Sequence, residues 1–87
     1  MYSIVESDEF KKVIKKLLKR DRFMLDAIYR KVAEIVENPY HYKPLRAPKQ
    51  GYRRVHIMGS FVLTYSIDEA RKAVVLEDFD HHDNAYY

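Results

Sequence analysis

Tyr52, Arg54 and His56 stand at every second position of the run GYRRVHI, residues 51–57. In an extended strand every second side chain points the same way, so a phenol, a guanidinium and an imidazole would follow one another along about 13 Å of one face, at roughly 3.3 Å per residue. Met58 continues this series, while Arg53, Val55 and Ile57 take the opposite face. Imidazole is the side chain that gives or takes a proton near neutral pH, and a guanidinium holds negative charge on phosphate oxygens. The set suits acid–base work at a phosphodiester. A lone strand histidine is more often structural than catalytic, so the second histidine matters. His82 lies in the terminal run DHHDNAYY, and it would meet His56 if the last strand pairs next to the hairpin.

Other chemistries find less support. Adjacent His81 and His82 point apart on an extended chain, and with Asp83 they lack the spacing that recurs in zinc sites, so no metal site and no cofactor are expected. The chain has no G-x-S-x-G, no glycine-rich phosphate loop and no cysteine nucleophile.

Residues with this chemistry need a scaffold, and the chain supplies one in order. Tyr2–Glu6 alternates as a first strand would. Ser7 reads as an N-cap, with Asp8 and Glu9 in the first turn where the helix dipole favours anions. Phe10, Val13, Ile14, Leu17 and Leu18 then recur at helical spacing. Lys11, Lys12, Lys15, Lys16, Lys19 and Arg20 fill the rest of that helix and read as a solvated face in preference to a dedicated RNA-contacting one. Asp21 caps a second helix whose stripe is Met24 or Leu25, Ile28, Val32, Ile35 and Val36, and Asn38-Pro39 ends it. Tyr40–Gln50 is an irregular connection. Gly51–Ile67 forms a hairpin broken at Gly59-Ser60, its inner strand built from Phe61, Leu63, Tyr65 and Ile67. Ala73–Phe79 is the final strand. The expected fold is α+β: an antiparallel sheet of about four strands with an N-terminal helical hairpin on one face, as a single domain over residues 1–87.

Eighty-seven residues can bury roughly 60–65% of the unfolded surface, enough for one core. The absence of cysteine suits a reducing compartment, no apolar run approaches the roughly 20 residues that span a bilayer, and the N-terminus lacks a signal pattern. A cytoplasmic location without membrane contact is therefore expected. The net charge of +3 hides an asymmetry. Between Asn38 and Ile67 there is no Asp or Glu, while Lys43, Arg46, Lys49, Arg53 and Arg54 are cationic and interleave with Tyr40, Tyr42, Tyr52 and Tyr65. Such a stretch fits a phosphate backbone with stacked bases, or alternatively an acidic protein surface.

The order strand, two helices, basic loop and three strands, with Pro44-Leu45, Gly51-Tyr52-Arg53, His56 and Leu63-Thr64-Tyr65, resembles the RelE/ParE superfamily of type II toxin–antitoxin toxins. It is most similar to the YafQ-like branch. The resemblance covers the whole chain and implies a RelE-like, microbial-RNase-like fold that cleaves mRNA on the ribosome without a metal and is silenced by a small, acidic, partly disordered antitoxin. By position it implies acid–base roles for His56 and His82. Lys43 falls where the branch has another histidine, and a lysine there could hold a phosphate. Arg53 matches a basic strand residue and Tyr86 a base-stacking tyrosine. Arg54 would stabilise charge, while Arg46, Lys49 and His81 would help hold RNA. Val62 stands where RelE-type members carry an arginine, and Ser60 where the YafQ-like pattern has an aspartate. The alternatives are a ParE-like toxin that binds DNA gyrase without cutting RNA, and a catalytically decayed module that only binds its antitoxin.

Overall fold

The computed structural model describes residues 1–47 and 51–85. The elements follow the expected order: β1 (Ser3–Glu6), α1 (Asp8–Arg20), α2 (Arg22–Glu37), β2 (Arg53–Ile57), β3 (Phe61–Asp68), β4 (Ala73–His81) and a single-turn α3 (His82–Ala85). Side-chain caps set the helix boundaries. The Ser7 hydroxyl oxygen accepts the Phe10 N–H at 3.1 Å, which satisfies one of the amides that a helix start leaves orphaned. Asp21 serves both helices: its N–H closes α1 on the Leu17 carbonyl at 2.8 Å, and its carboxylate accepts the Met24 N–H at 3.0 Å to open α2. One residue thus replaces a linker, and the two helices fold back on each other as a hairpin.

The strands form one sheet in the order β1-β4-β3-β2. β2 and β3 are antiparallel, as are β3 and β4, but β1 runs parallel to β4. The expected antiparallel sheet is thus mostly antiparallel, with one parallel edge. The helical hairpin intervenes between β1 and the hairpin strands, and such a crossover returns the chain in the direction that parallel pairing requires.

Both helices cover one sheet face. Phe10 from α1 and Met24, Ile28, Val32, Ile35 and Val36 from α2 meet Val55, Ile57, Leu63, Tyr65, Val74, Leu76 and Phe79 in one buried cluster. Each large side chain fully withdrawn from water there contributes roughly 1.5–3 kcal/mol. Neither α1 nor α2 covers the opposite face.

Two local irregularities decide what that open face carries. The β2–β3 connection is longer than the expected Gly59-Ser60 turn, because Met58 and Gly59 both adopt positive φ, 54° and 76°. Met58 therefore belongs to the turn and does not extend the Tyr52, Arg54, His56 series. The second irregularity is a bulge. Thr64 pairs with Asp78 while Tyr65 pairs with Leu76, so Glu77 is an extra residue in β4. Before it Val74 and Leu76 face the core; after it Phe79 does, and Asp78 and Asp80 turn to the open face. The bulge is tied down from two sides: the Ser7 hydroxyl donates to the Glu77 carbonyl at 2.7 Å, and Ser66 donates to the Glu77 carboxylate at 2.6 Å.

The connection after α2 is pinned to the sheet. The buried Tyr65 hydroxyl donates to the Pro39 carbonyl at 2.7 Å, and burial pushes that phenol up to about 12. Leu45 N–H donates to the Tyr52 carbonyl at 2.9 Å and Pro44 bridges to Arg53, which covers the outer edge of β2. Glu69 gathers the Lys72 ammonium and the Tyr40 and Tyr2 hydroxyls, and these, Lys72 foremost, hold its carboxyl down at about 2.

Tyr65→Phe should lower stability by about 1–2 kcal/mol, because a buried carbonyl loses its donor. Thermal denaturation would show this as a fall of roughly 4–8 °C per kcal/mol in a chain of this size. Glu69 gives a pH test. Its folded value lies below its unfolded one, so its contribution is complete above the ordinary value of 4.5 and is lost as pH falls toward about 2. The melting temperature of Glu69→Gln should lie below wild type at pH 7, and the gap should close steadily below pH 4.5.

Candidate nucleic-acid interface

Register assembles the site. On the open face His56 pairs with Val62, and Val62 pairs with Asp80 on its other side, forming one row across three strands. The neighbouring row is Arg54, Thr64 and Asp78. His82 begins α3 where β4 ends, and its N–H donates to the Ser60 carbonyl at 2.7 Å. The β2–β3 turn thereby holds the start of α3, and with it His82, over the first row. The outcome is a pair of imidazoles whose ring centroids lie 5.7 Å apart with their planes inclined by only 27°. Both rings are exposed, and Val62 beside them is wholly buried although it faces away from the helices. The two accessible imidazoles thus stand side by side over an apolar floor.

The other candidates fall in different places. His81 pairs in register with Phe61 and packs edge-on against its ring at 5.4 Å, on the side that faces the helices. Its Nδ1 accepts the Asp83 N–H at 3.3 Å. The Asp83 carboxylate stands 3.7 Å from Nδ1 of both His81 and His82. Arg54 shares the histidine face, one row from His56. Arg53 does not: its guanidinium donates to the Tyr42 carbonyl and lies 5.0 Å from the centre of the Tyr40 ring, so it braces the α2–β2 connection. Lys43 and Arg46 are exposed in that connection, on either side of Pro44 and Leu45, along the edge of β2. Lys49 and Tyr86 lie outside the described residues.

Asp78 and Asp80 were missed by sequence reasoning. The segment from Asn38 to Ile67 is free of acids along the chain, but β4 brings two carboxylates onto the same face. A signal for them existed: Val74 and Leu76 keep one phase and Phe79 the other, which strict alternation cannot satisfy without a bulge. Among the described residues no group of three or more His, Cys, Asp or Glu side chains is placed to hold a metal ion, and no helix is long and apolar enough to cross a membrane.

A family model described as the ParE toxin of the type II toxin–antitoxin system parDE matches residues 4–86. The chain belongs to that family. Over 86 residues it is 50% identical to a candidate toxin, RelE4, of Methanocaldococcus jannaschii, covering 99% of this chain and 92% of that one. A metal-bound toxin from Helicobacter pylori superposes with a TM-score of 0.79 at 27% identity, over 99% of this chain and 100% of the other. The E. coli DinJ–YafQ toxin–antitoxin complex contains a chain with a TM-score of 0.75 at 21% identity, covering 99% and 98% respectively, a likeness of fold. This ParE-family chain is thus a type II toxin of the RelE/ParE superfamily with the helical hairpin and sheet expected from its residues.

The histidine pairing in this ParE-family toxin is directly measurable. Ring protons of His56 and His82 should give a nuclear Overhauser cross-peak in solution, and replacing Val62 with a bulkier Phe should weaken it by pushing the rings apart. Loss of the cross-peak in the wild-type protein would show that the two side chains do not share one site.

Proposed function

We propose that this toxin is an endoribonuclease that cuts mRNA on the ribosome by attack of a 2′-hydroxyl on its adjacent phosphate. The supporting observation is the His56–His82 pair, 5.7 Å apart on the open sheet face. The reaction removes a proton from the 2′-oxygen, forms a bond from that oxygen to phosphorus, and breaks the bond to the 5′-oxygen, which leaves with a proton. The products are a 2′,3′-cyclic phosphate and a 5′-hydroxyl. One imidazole acts as base and the other as acid, and rings this close reach a single phosphodiester together. Arg54, two residues and roughly 7 Å along the same strand face, stabilises the extra negative charge on the phosphorane. Asp83, beside Nδ1 of His82, orients that ring. Lys43 and Arg46 guide RNA along the β2 edge; the contacts expected of Lys49 and Tyr86 fall outside the described residues, and His81, turned toward the helices, is assigned none. Arg53 acts indirectly by holding the connection that carries Lys43.

The partner that silences it is an antitoxin. The DinJ–YafQ complex supports this by fold, and the exposed cationic residues of the α2–β2 connection suit a small acidic chain that orders as it binds.

A second reading is favoured by one observation. Asp78 and Asp80 share the histidine face, and carboxylates repel a phosphate backbone, so the face could bind a protein target such as DNA gyrase without cutting RNA. An mRNA cleavage assay with and without programmed ribosomes separates the two. His56→Gln or His82→Gln should each slow cleavage by about 10²–10⁴-fold, the usual contribution of one positioned proton-transfer group, while leaving the fold and RNA binding intact. Wild-type cleavage rates in both variants would overturn the acid–base assignment.

A further inference from the structure

The outer face of α1 carries six cations and plays no part in the chemistry above. The helix buries Phe10 and packs Val13, Ile14 and Leu17 against the core, which turns Lys11, Lys12, Lys15, Lys16, Lys19 and Arg20 outward on the side of the molecule away from the histidine face. Lys12, Lys15, Lys16, Lys19 and Arg20 border a shallow groove of about 400 Å³. Among the described residues the face has one ion pair, Lys12 to Glu9 at 3.8 Å between two well-exposed side chains, which neutralises little.

We propose that this face is a second docking surface that takes the phosphate backbone of double-stranded RNA. The cations form two rows at four-residue spacing, Lys11, Lys15, Lys19 and Lys12, Lys16, Arg20. Successive members of a row are separated by roughly 6 Å along the axis, four residues at 1.5 Å each, comparable to the separation of successive phosphates on a strand. Three features select the partner. The face has lysine at its centre, with the half-exposed Leu18 at the margin beside Lys11 and Lys15, whereas protein interfaces need an apolar centre from which lysine is depleted. It also lacks aromatic rings, because the one aromatic residue of α1, Phe10, is buried, and unpaired bases bind by stacking on rings. Double-stranded RNA, by contrast, is held chiefly through its shape, phosphates and 2′-hydroxyls, which a cationic groove can satisfy. Six cations also gain from releasing condensed counterions, a driving force that an acidic protein of ordinary charge density supplies less well.

This surface does not depend on whether the histidines cut, so its test uses full-length protein carrying His56→Gln and His82→Gln. Binding to a labelled RNA duplex of about 20 base pairs would be followed by fluorescence anisotropy between 50 and 200 mM salt. Replacing Lys12, Lys16 and Arg20 with Gln should weaken binding at least tenfold. It should also flatten the slope of log K against log salt by about 2–3, since each phosphate contact contributes roughly 0.7–0.9. Circular dichroism should be unchanged, because all three side chains are exposed. Unchanged affinity and slope would overturn the proposal. So would an equal fall in affinity for an unstructured single strand, or for polyglutamate of matched length, when the three residues are replaced, the latter assigning the face to an acidic protein. Loss of cleavage in the histidine variants with duplex binding retained would bear on the active site alone.

Discussion

Everything on the open face depends on how β4 is seated against β3. The strand supplies Asp78 and Asp80, leads into His82, and carries β1 on its far edge, yet it cannot do all of this with regular alternation. Val74 and Leu76 must enter the core from one phase and Phe79 from the other, and the extra residue Glu77 reconciles them. A slip of one residue in a strand exchanges its two faces. Without the bulge either the apolar set or the two aspartates would be on the wrong side, and burying an unpaired carboxylate costs far more than a disrupted ladder bond. The bulge is therefore the arrangement with the lowest free energy available to this strand.

The same position links the site to the helices. Ser7 caps α1 through its hydroxyl oxygen and uses the hydroxyl proton on the Glu77 carbonyl, so one side chain satisfies the first turn of the helix and the irregularity in the sheet. On the other side of the sheet, Tyr65 and Arg53 fasten the long connection that bears Lys43 and Arg46, one through the Pro39 carbonyl and one through the Tyr42 carbonyl. Cationic side chains that look alike along the chain thus divide by role. Arg53 is bound into the scaffold, whereas Lys43 and Arg46 remain exposed where a polyanion can reach them.

Charge is distributed over the two sides of the molecule in different ways. The histidine face mixes Arg54 with Asp78 and Asp80, which suits discrimination by geometry at short range more than general attraction of nucleic acid. The helical side concentrates lysines with almost no acids among them, which suits long-range attraction with little discrimination. Under the proposed function the two tasks fall on separate surfaces, and a surface that captures RNA need not have the precision of one that reacts with it.

Local physics made much of this protein legible from its residues. The caps at Ser7 and Asp21, the apolar period of both helices, the proline after Asn38 and the alternation of the hairpin each involve groups a few positions apart, whose energetics survive in any compact arrangement. The proximity of His56 and His82 was conditional on strand order, and the resemblance to RelE/ParE toxins rested on the order and spacing of those same elements. Only the tertiary structure decided that β1 runs parallel to β4, that Glu77 is a bulge, that Met58 belongs to the turn, that Arg53 faces the connection, and that two aspartates stand across the sheet from His56 and Arg54. These are choices of pairing and register between distant segments. Their energies come from burying one face of a whole sheet at once, and no short window of sequence contains both sides of that balance.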